Sequence, residues 1–526
     1  MIILGINWLS DASATIVRDG KIVAAVSEER INRKKLWHGF PEMAIEDVLA
    51  ISGIAGLSPK IKERQLAAIR RRRDHERSVF RERTPGHLDT IRGLGRPLKV
   101  YIHHHLHAVG AYYGSGWDEC AVVTADGWGD AASGSVFLAD RNQGLVPHSY
   151  SHTFDSLGYF YGSFTKSLGF IPHRHEGKVL GLAAYCRNPE SYKEIAPLID
   201  LDPDELRFIG RMENGVYLPN FNNPAVDEIV SRYPREDIAA AVQTRLEEVV
   251  TALVTKLGER ARNLALAGGI FANVKLNQRL AALENVDQVY VFPNMGDGGL
   301  SAGAACLAYH ELTGDRPQPL STMYLGPAPE AGEIEAALLK SGLSYARKDN
   351  IQAAVAALLA KGEVVARCAG RMEFGPRALG HRSIFYQASD PSVNDWLNGR
   401  LGRSEFMPFA PATLAEAADE MYIGLSGCTG PAKFMAMTFD CTERMKKEAS
   451  AAVHVDGTAR PQIVTAKDHP DTHKILVEYK ALSGLSSIVN TSFNVRGEPI
   501  VCTPPVTRCA LLWPAACRTL PLGIFW

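Results

Sequence analysis

From about residue 100 the sequence alternates short apolar runs with long amphipathic ones, and this alternation restricts the fold more than any other feature. AVVTADG (121–127), LALAGG (264–269) and VYVF (289–292) read as buried strands, whereas PREDIAAAVQTRLEEVVTALVTKLGERA (234–261) reads as a helix. Strands alternating with helices predict an α/β protein. The chain has 526 residues, and one core rarely grows beyond ~250–300 residues, so at least two units are expected. A proline-rich connector over residues 313–332 is the best boundary, and helical IQAAVAALLAKG (351–362) followed by strand-like EVVARCAG (363–370) opens a second α/β unit.

The first 26 residues predict a β-meander. MIILGI precedes the polar loop NWLSD, ATIV runs into a turn at Arg18–Lys21, and IVAAV returns. Two buried strands around a polar loop can cradle a phosphate, as in actin-like ATPases, although a plain hairpin core satisfies the same pattern. Residues 58–97 are densely basic without interleaved aromatics, which favours a solvated helix or loop over an RNA-stacking surface. A net charge of −1 supplies no global field for nucleic acid or an anionic membrane. No apolar run reaches the ~18 residues of a membrane span. The N-terminus lacks a basic segment and meets Asn7, Ser10 and Asp11 early, unlike a signal peptide. Nine cysteines without CxxC spacing suggest reduced thiols and a cytoplasmic location.

Three constellations carry chemistry. In HHHLHA, His103 and His107 are four apart, so a helix would project both rings from one face toward one metal; surface or core histidines are the alternative. Asp126 follows the strand-like AVVTA, and Asp297 sits in a glycine-rich turn that opens a helix. Strand ends in α/β sheets converge on the ligand crevice. Two imidazoles and two carboxylates suit Fe, Mn or Zn, although each aspartate also reads as a turn-former or helix cap.

The second constellation is Gly268-Gly269 ahead of Asn273 and Asn277. Here a phosphate would meet exposed amides and a helix N-terminus, or the glycines simply make a tight turn. Glu176 and Lys178, in HEGKVLGLAAY, read either as part of that site or as an exposed ion pair. The third is cationic. Arg377 and Arg382 flank a turn shaped by proline and glycine, and later loops carry Arg403, Arg460, Asn490, Ser492, Asn494 and Arg496. Guanidinium forks suit phosphate oxygens, so an anion site is expected.

EFGPRALGHRS (373–383), HVDGTARPQ (454–462) and NTSFNVRGEP (490–499) together resemble the NodU/CmcH carbamoyltransferase family, from residue 1 to about 503. The resemblance implies an N-terminal, two-lobed actin-like domain (the ASKHA, ribonuclease H-like fold), similar to the tRNA threonylcarbamoyl transferase, over residues 1–325. It implies a YrdC-like carbamoyl-adenylate-forming α/β domain over 326–505 and leaves an atypical tail at 506–526. Metal ligands carry over to His103, His107, Asp126 and Asp297, with Fe2+ expected and Mn2+ or Zn2+ as alternatives. The donor-forming anion site carries over to Arg377, Arg382, Arg460 and Ser492.

The implied reaction makes carbamoyl-AMP from carbamoyl phosphate and ATP, with Mg2+ accompanying the nucleotide, and then transfers the carbamoyl group to a hydroxyl. The implied acceptor is a small molecule such as an antibiotic or another sugar-containing natural product. No nucleic acid or membrane partner is expected, and the family suggests a homodimer.

The chain departs from the family pattern in four places. Ser10 replaces the histidine of the usual His-Asp-Ala-Ser loop; serine is a poor base at neutral pH, which leaves Asp11, another nearby histidine or the substrate itself to take the acceptor proton. Leu401 and Met407 stand where basic residues are frequent, with Arg400 or Arg403 to compensate. Residues 58–90 lack the expected apolar strand. The tail has proline-rich, frame-shifted character that opposes a helix. A tRNA threonylcarbamoyl transferase-like enzyme and a non-catalytic actin-like nucleotide-binding protein are the alternative readings.

Overall fold

A computed structural model describes residues 1–8, 10–54, 97–211, 221–341, 346–401, 406–502 and 523–525. The basic stretch, Arg403 and nearly all of the tail therefore lie outside the described residues.

The fold is mixed α/β. The expected meander is present: β1 (Ile2–Asn7), β2 (Ser13–Arg18) and β3 (Lys21–Ser27) pair antiparallel in that order. Asp19 and Gly20 turn the chain between β2 and β3 with φ of 48° and 78°. Helix α1 (Glu42–Ile51) covers one face, burying Ala44, Ile45 and Val48 against Ala14, Ile16 and Val26.

A second sheet contains β4 (Cys120–Gly129), β5 (Ala132–Asp140), β6 (Gly144–His152), β9 (Asn263–Ala267) and β10 (Gln288–Val291); β7 (Ile199–Asp202) and β8 (Arg207–Gly210) form a separate ribbon. The sheet order is β10-β9-β4-β5-β6, with β10, β9 and β4 parallel and β4, β5 and β6 antiparallel. The parallel strands end on one edge, which brings Asp126, Gly268 and the loop carrying Asp297 to the same side of the sheet.

Helix α2 (His103–Ser115) packs on one face of this sheet, and its Val109 and Tyr112 share a core with Val122, Ala265 and Phe292. Helices α3 (Leu157–Ser167), α4 (Glu176–Ala183) and α5 (Arg235–Leu257) belong to the largest core with Val123, Leu264 and Leu266. The predicted 234–261 helix thus forms, with its last turn tightening to 3-10 geometry at Gly258–Ala261. Helix α6 (Val274–Ala281) follows β9, and α7 (Leu300–Thr313) lies against β1, where Gly5 makes room. A Cβ on Gly5 would stand 2.0 Å from the Ser301 carbonyl oxygen.

The second unit is built on a sheet of order β17-β13-β18-β12-β11-β19: β11 (Val365–Cys368), β12 (Arg382–Gln387), β13 (Ala410–Leu414), β17 (Gln462–Val464), β18 (Ser487–Ser492) and β19 (Gly523–Phe525). Strands β14 (Tyr422–Ile423), β15 (Phe439–Cys441) and β16 (Thr458–Ala459) make a small sheet beside it. Helices α8 (Ile351–Ala360) and α9 (Pro470–Ser483) bury Val355, Leu359, Ile475 and Tyr479 against Val365, Phe385 and Ile488.

The proline-rich connector is a seam. The Ala25 amide donates to the Leu325 carbonyl at 3.1 Å, and the Gly326 amide donates to the Met372 carbonyl at 2.9 Å. Met323 and Leu325 share a core with Phe374 and Leu379. Among the described residues no helix is long and apolar enough to cross a membrane, and the seven described cysteines are free thiols.

Candidate active site

His103 and His107 lie one turn apart on α2, so both rings leave the same helix face. Asp126 is at the end of β4, inside the strand rather than beyond it, and Asp297 opens the 3-10 turn before α7. One ligand atom from each of these four residues lies within 4.8 Å of all the others. His107 Nε2 is 3.1 Å from His103 Nε2 and 3.3 Å from Asp126 Oδ2. Asp297 Oδ1 is 3.5 Å from His103 Nε2 and 3.6 Å from His107 Nε2.

The surroundings fix each ligand. Asp126 Oδ1 accepts from the Gly127 amide at 2.7 Å and Oδ2 from the Gly269 amide at 3.0 Å. The His103 amide donates to Asp130 at 2.8 Å, and Gly129 lets the His103 ring approach the backbone: a Cβ there would stand 2.2 Å from the ring. Asn7 Nδ2 donates to the Asp297 carbonyl at 2.9 Å, and Ser13 Oγ donates to the Gly298 carbonyl at 2.9 Å, which ties the turn of Asp297 to the meander. His104 faces away, its ring on Thr124 at 2.8 Å, and burial keeps it neutral with its pKa lowered to about 3.

Burial also lowers the pKa of His103, helped by the neighbouring His107. For His107 burial opposes the charged form, but the nearby carboxylates of Asp126 and Asp297 outweigh it and lift the ring to about 9. Burial likewise opposes the Asp126 carboxylate, yet the His107 contact holds its pKa well below the usual range. Asp297 Oδ1 is buried and accepts no hydrogen bond among the described residues. An orphaned carboxylate oxygen facing two imidazoles, with a second carboxylate alongside, is a donor set that fits a borderline divalent cation.

Asp11 stands near this cluster with φ 49°. Burial raises its pKa to about 7, aided by repulsion from Glu29, Asp297 and Asp126 and opposed by Arg30. The neighbouring Ser10 offers its carbonyl to Asn7 Nδ2 at 2.8 Å.

The glycine turn serves the aspartate. Gly268 has φ 102°, and a Cβ on it would meet the Ala125 carbonyl oxygen at 2.2 Å; the Gly269 amide is the one bonded to Asp126. Of the two sequence alternatives, the described contacts are those of the tight turn. Asn273 differs from its expected phosphate role: its Oδ1 caps α6 on the Leu276 amide at 3.0 Å, and its amide pairs with Gln243. Glu176 accepts the His173 amide at 2.6 Å, and burial raises its pKa. Lys178 is buried rather than exposed, with its ammonium 6.0 Å from the Phe170 ring centre.

Arg382 also differs from expectation. It is fully buried, and its donors run to the carbonyls of Cys502 and Ala369 at 2.7 Å each, His381 at 3.1 Å, Gly370 at 3.3 Å and Pro327 at 3.4 Å. A fork turned onto main-chain oxygens is a structural clamp, which corrects its reading as a phosphate ligand. Arg377 is half-buried in the adjacent turn, Arg460 is half-buried after β16, and Arg496 is exposed. Asn490 bonds the Ala378 carbonyl at 3.2 Å and Gln462 at 2.7 Å, and its Oδ1 has no partner among the described residues. Ser492 Oγ donates to Asn494 at 2.6 Å.

The sequence reading missed Glu373. Its buried Oε1 accepts the amides of Leu379, His381 and Arg382 at 2.7, 2.9 and 3.2 Å, curling the chain so that Arg377 lies on the resulting turn. The signal available was an acidic residue at the head of a motif otherwise explained by its arginines.

A family model described as Carbamoyltransferase N-terminus matches residues 65–306, and one described as Carbamoyltransferase C-terminus matches residues 356–513. Uncharacterized protein sll1178 of Synechocystis sp. is 32% identical over 95% of this chain and 92% of that protein. Nodulation protein NolNO of Sinorhizobium fredii is 30% identical over 94% of this chain and 75% of its own length. The solved structure of T. kodakarensis HypF superposes with a TM-score of 0.33 at 12% identity, over 60% of this chain and 49% of that one.

Proposed function

The chain belongs to the NodU/CmcH-type carbamoyltransferase family and is an enzyme of that kind, and from that premise we propose that it is an ATP-dependent O-carbamoyltransferase. The observation that carries this reading is the convergence of His103, His107, Asp126 and Asp297 within 4.8 Å beside a carboxyl whose pKa is raised to about 7. We assign residues 1–325 to an actin-like transfer domain, 326–505 to a YrdC-like donor-forming domain and 506–526 to a tail.

Carbamoyl phosphate is first hydrolysed to carbamate and phosphate. Carbamate oxygen then attacks the α-phosphorus of ATP·Mg2+, forming carbamoyl-AMP and releasing pyrophosphate. Arg377, Arg460, Asn490 and Ser492 are the groups assigned to these anions, with Arg403 and Arg496 nearby in sequence. Their charge counts most where negative charge builds in the transition state. In the second stage Asp11 takes the proton of an acceptor hydroxyl, the oxygen attacks the carbamoyl carbon, and AMP leaves. The four ligands would hold Fe2+, Mn2+ or Zn2+, and such an ion supplies polarisation of the carbamoyl carbonyl. Gly269, Asn7 and Ser13 keep the ligands oriented.

The acceptor is a small hydroxylated natural product, the assembly a homodimer, and the location the cytoplasm, where free thiols persist. Incubation with ATP, labelled carbamoyl phosphate and a panel of hydroxylated metabolites tests this. The label should move to an alcohol while AMP and pyrophosphate accumulate, and no AMP formation dependent on carbamoyl phosphate would sink the reading.

A further inference from the structure

The turn that carries Arg377 is held from two sides. On its far side the connector and the second unit grip it: Tyr324 Oη and Gln462 Nε2 each donate to the Leu379 carbonyl at 2.8 Å, and Asn490 reaches the Ala378 carbonyl. Its near side rests on the first unit. Gly375 has φ 137°, and a Cβ there would lie 3.4 Å from the Pro293 carbonyl oxygen and 3.5 Å from Asn294 Cβ. Asn294 is three residues from Asp297, in the loop that presents this carboxylate to the two histidines. The turns of Arg377 and Asp297 therefore lie side by side, with no room for more than a β-carbon between them at Gly375.

One cation from the helix that follows the meander reaches this turn. Arg30, in the short helix Glu29–Asn32, is 4% exposed. Its Nη2 donates to the Gly375 carbonyl at 2.5 Å, and its Nε lies 3.4 Å from Glu29 Oε1. A buried guanidinium is expensive to desolvate, and packing alone does not call for one at this position. Three residues on, Arg33 donates to the carbonyls of Pro499 and Ile500 at 2.6 Å each, so it grips a different segment of the second unit.

We propose that Arg30 is a positioning residue for carbamoyl transfer, fixing the Arg377 turn against the Asp297 turn so that the donor-forming and transfer centres are set relative to each other. The proposal rests on the two-centre reading above. Arg30 itself touches no reactant. Its effect is geometric: a shift of about 1 Å in a turn bearing a substrate-binding arginine can cost roughly 100-fold in rate.

The test compares Arg30→Met, Arg30→Lys and Arg33→Met in the full, metal-loaded chain. Arg30→Met should lower kcat for AMP formation dependent on carbamoyl phosphate by about 10- to 100-fold with KM for ATP unchanged. Amide exchange over 374–378 and 293–299 should accelerate. Arg30→Lys, which retains a charged donor, should recover part of the rate, and Arg33→Met should leave exchange in both turns as in the parent. Parent-like rate and exchange in Arg30→Met would overturn the proposal, as would a loss of melting temperature shared equally by Arg30→Lys. If the parent protein forms no AMP from carbamoyl phosphate, the functional reading fails while the exchange arm still decides the role of Arg30.

Discussion

The Gly269 amide donates to Oδ2 of Asp126 at 3.0 Å, and that same oxygen lies 3.3 Å from His107 Nε2. A glycine turn that suggests a phosphate cradle is thereby the outer support of a candidate metal ligand. Partners of this kind commonly change metal affinity by about 10- to 100-fold when removed. A Cβ on Gly269 would stand 3.0 Å from Asp126 Oδ1. Gly269→Ala should therefore weaken divalent-metal binding by about tenfold with little change in melting temperature. Gly268→Ala should destabilise the fold instead, because it adds a backbone clash at φ 102°. Metal titration and thermal melts on the two variants separate the effects.

Glu28 gives a pH dependence of stability. Burial raises its pKa from 4.5 to about 7, despite the hydrogen bond its Oε2 accepts from the Ala44 amide at 2.7 Å. A carboxyl whose folded pKa lies above its unfolded one binds its proton more tightly in the native state. Its contribution is complete below about pH 4.5 and is lost as pH rises through about 7. Glu28→Gln should flatten that slope, removing on the order of 3 kcal/mol of pH-dependent change. Urea unfolding of both proteins at acidic and neutral pH measures it.

Arg382→Met should cost about 3–5 kcal/mol, since it orphans buried carbonyls on three segments. Lysine should not restore it, because one ammonium cannot replace a fork bonded to Cys502, Ala369 and Pro327. Denaturant midpoints and soluble yield report this directly. A stable Arg382→Met protein lacking only donor synthesis would return this residue to the anion site.

Local pattern made part of this molecule legible. The period-2 runs and the Arg18–Lys21 turn specify the meander, and the i, i+4 spacing of His103 and His107 on a helix sets both rings on one face. What local pattern cannot carry is who pairs with whom across the chain. Gly268-Gly269 looks the same whether its amides meet a phosphate or Asp126, 143 residues away. Asn273 caps α6 locally on Leu276, but that its side-chain amide is taken up by Gln243 from α5 is not visible in the sequence. Arg377 and Arg382 sit five apart in one motif, yet one lies on a half-exposed turn and the other starts a central strand, where five main-chain oxygens surround it. The connector at 313–332 has the composition of a linker but supplies Leu325 as a hydrogen-bond partner for β3.

Asp11 should set the acid limb of the transfer reaction. Its pKa is raised to about 7 by burial and by the carboxylates of Glu29, Asp297 and Asp126, and only the deprotonated form accepts a hydroxyl proton. With preformed carbamoyl-AMP as donor, transfer should climb as pH passes about 7 and then level. Asp11→Asn should remove the limb and lower the rate by roughly 100- to 10,000-fold. Ser10→His should raise transfer without changing AMP formation.

Separate centres predict separable half-reactions. Asp297→Ala removes the ligand whose Oδ1 is orphaned between His103 and His107, so bound metal and transfer should both fall steeply. AMP formation from carbamoyl phosphate should persist in this variant, because the sheet behind Arg377 is untouched. Arg377→Ala should behave in reverse, losing AMP formation and regaining transfer when carbamoyl-AMP is supplied. The contact of Gly375 with Asn294 sharpens the expectation: each variant should retain the other half-reaction only as long as the shared wall stays in place, so amide exchange over 293–299 must match the parent for the comparison to be read. Mixing the two variants should restore product if the adenylate escapes to solvent and should fail if it passes directly between the centres. Equal loss of both half-reactions in every variant, with exchange unchanged, would replace the two centres by a single composite site.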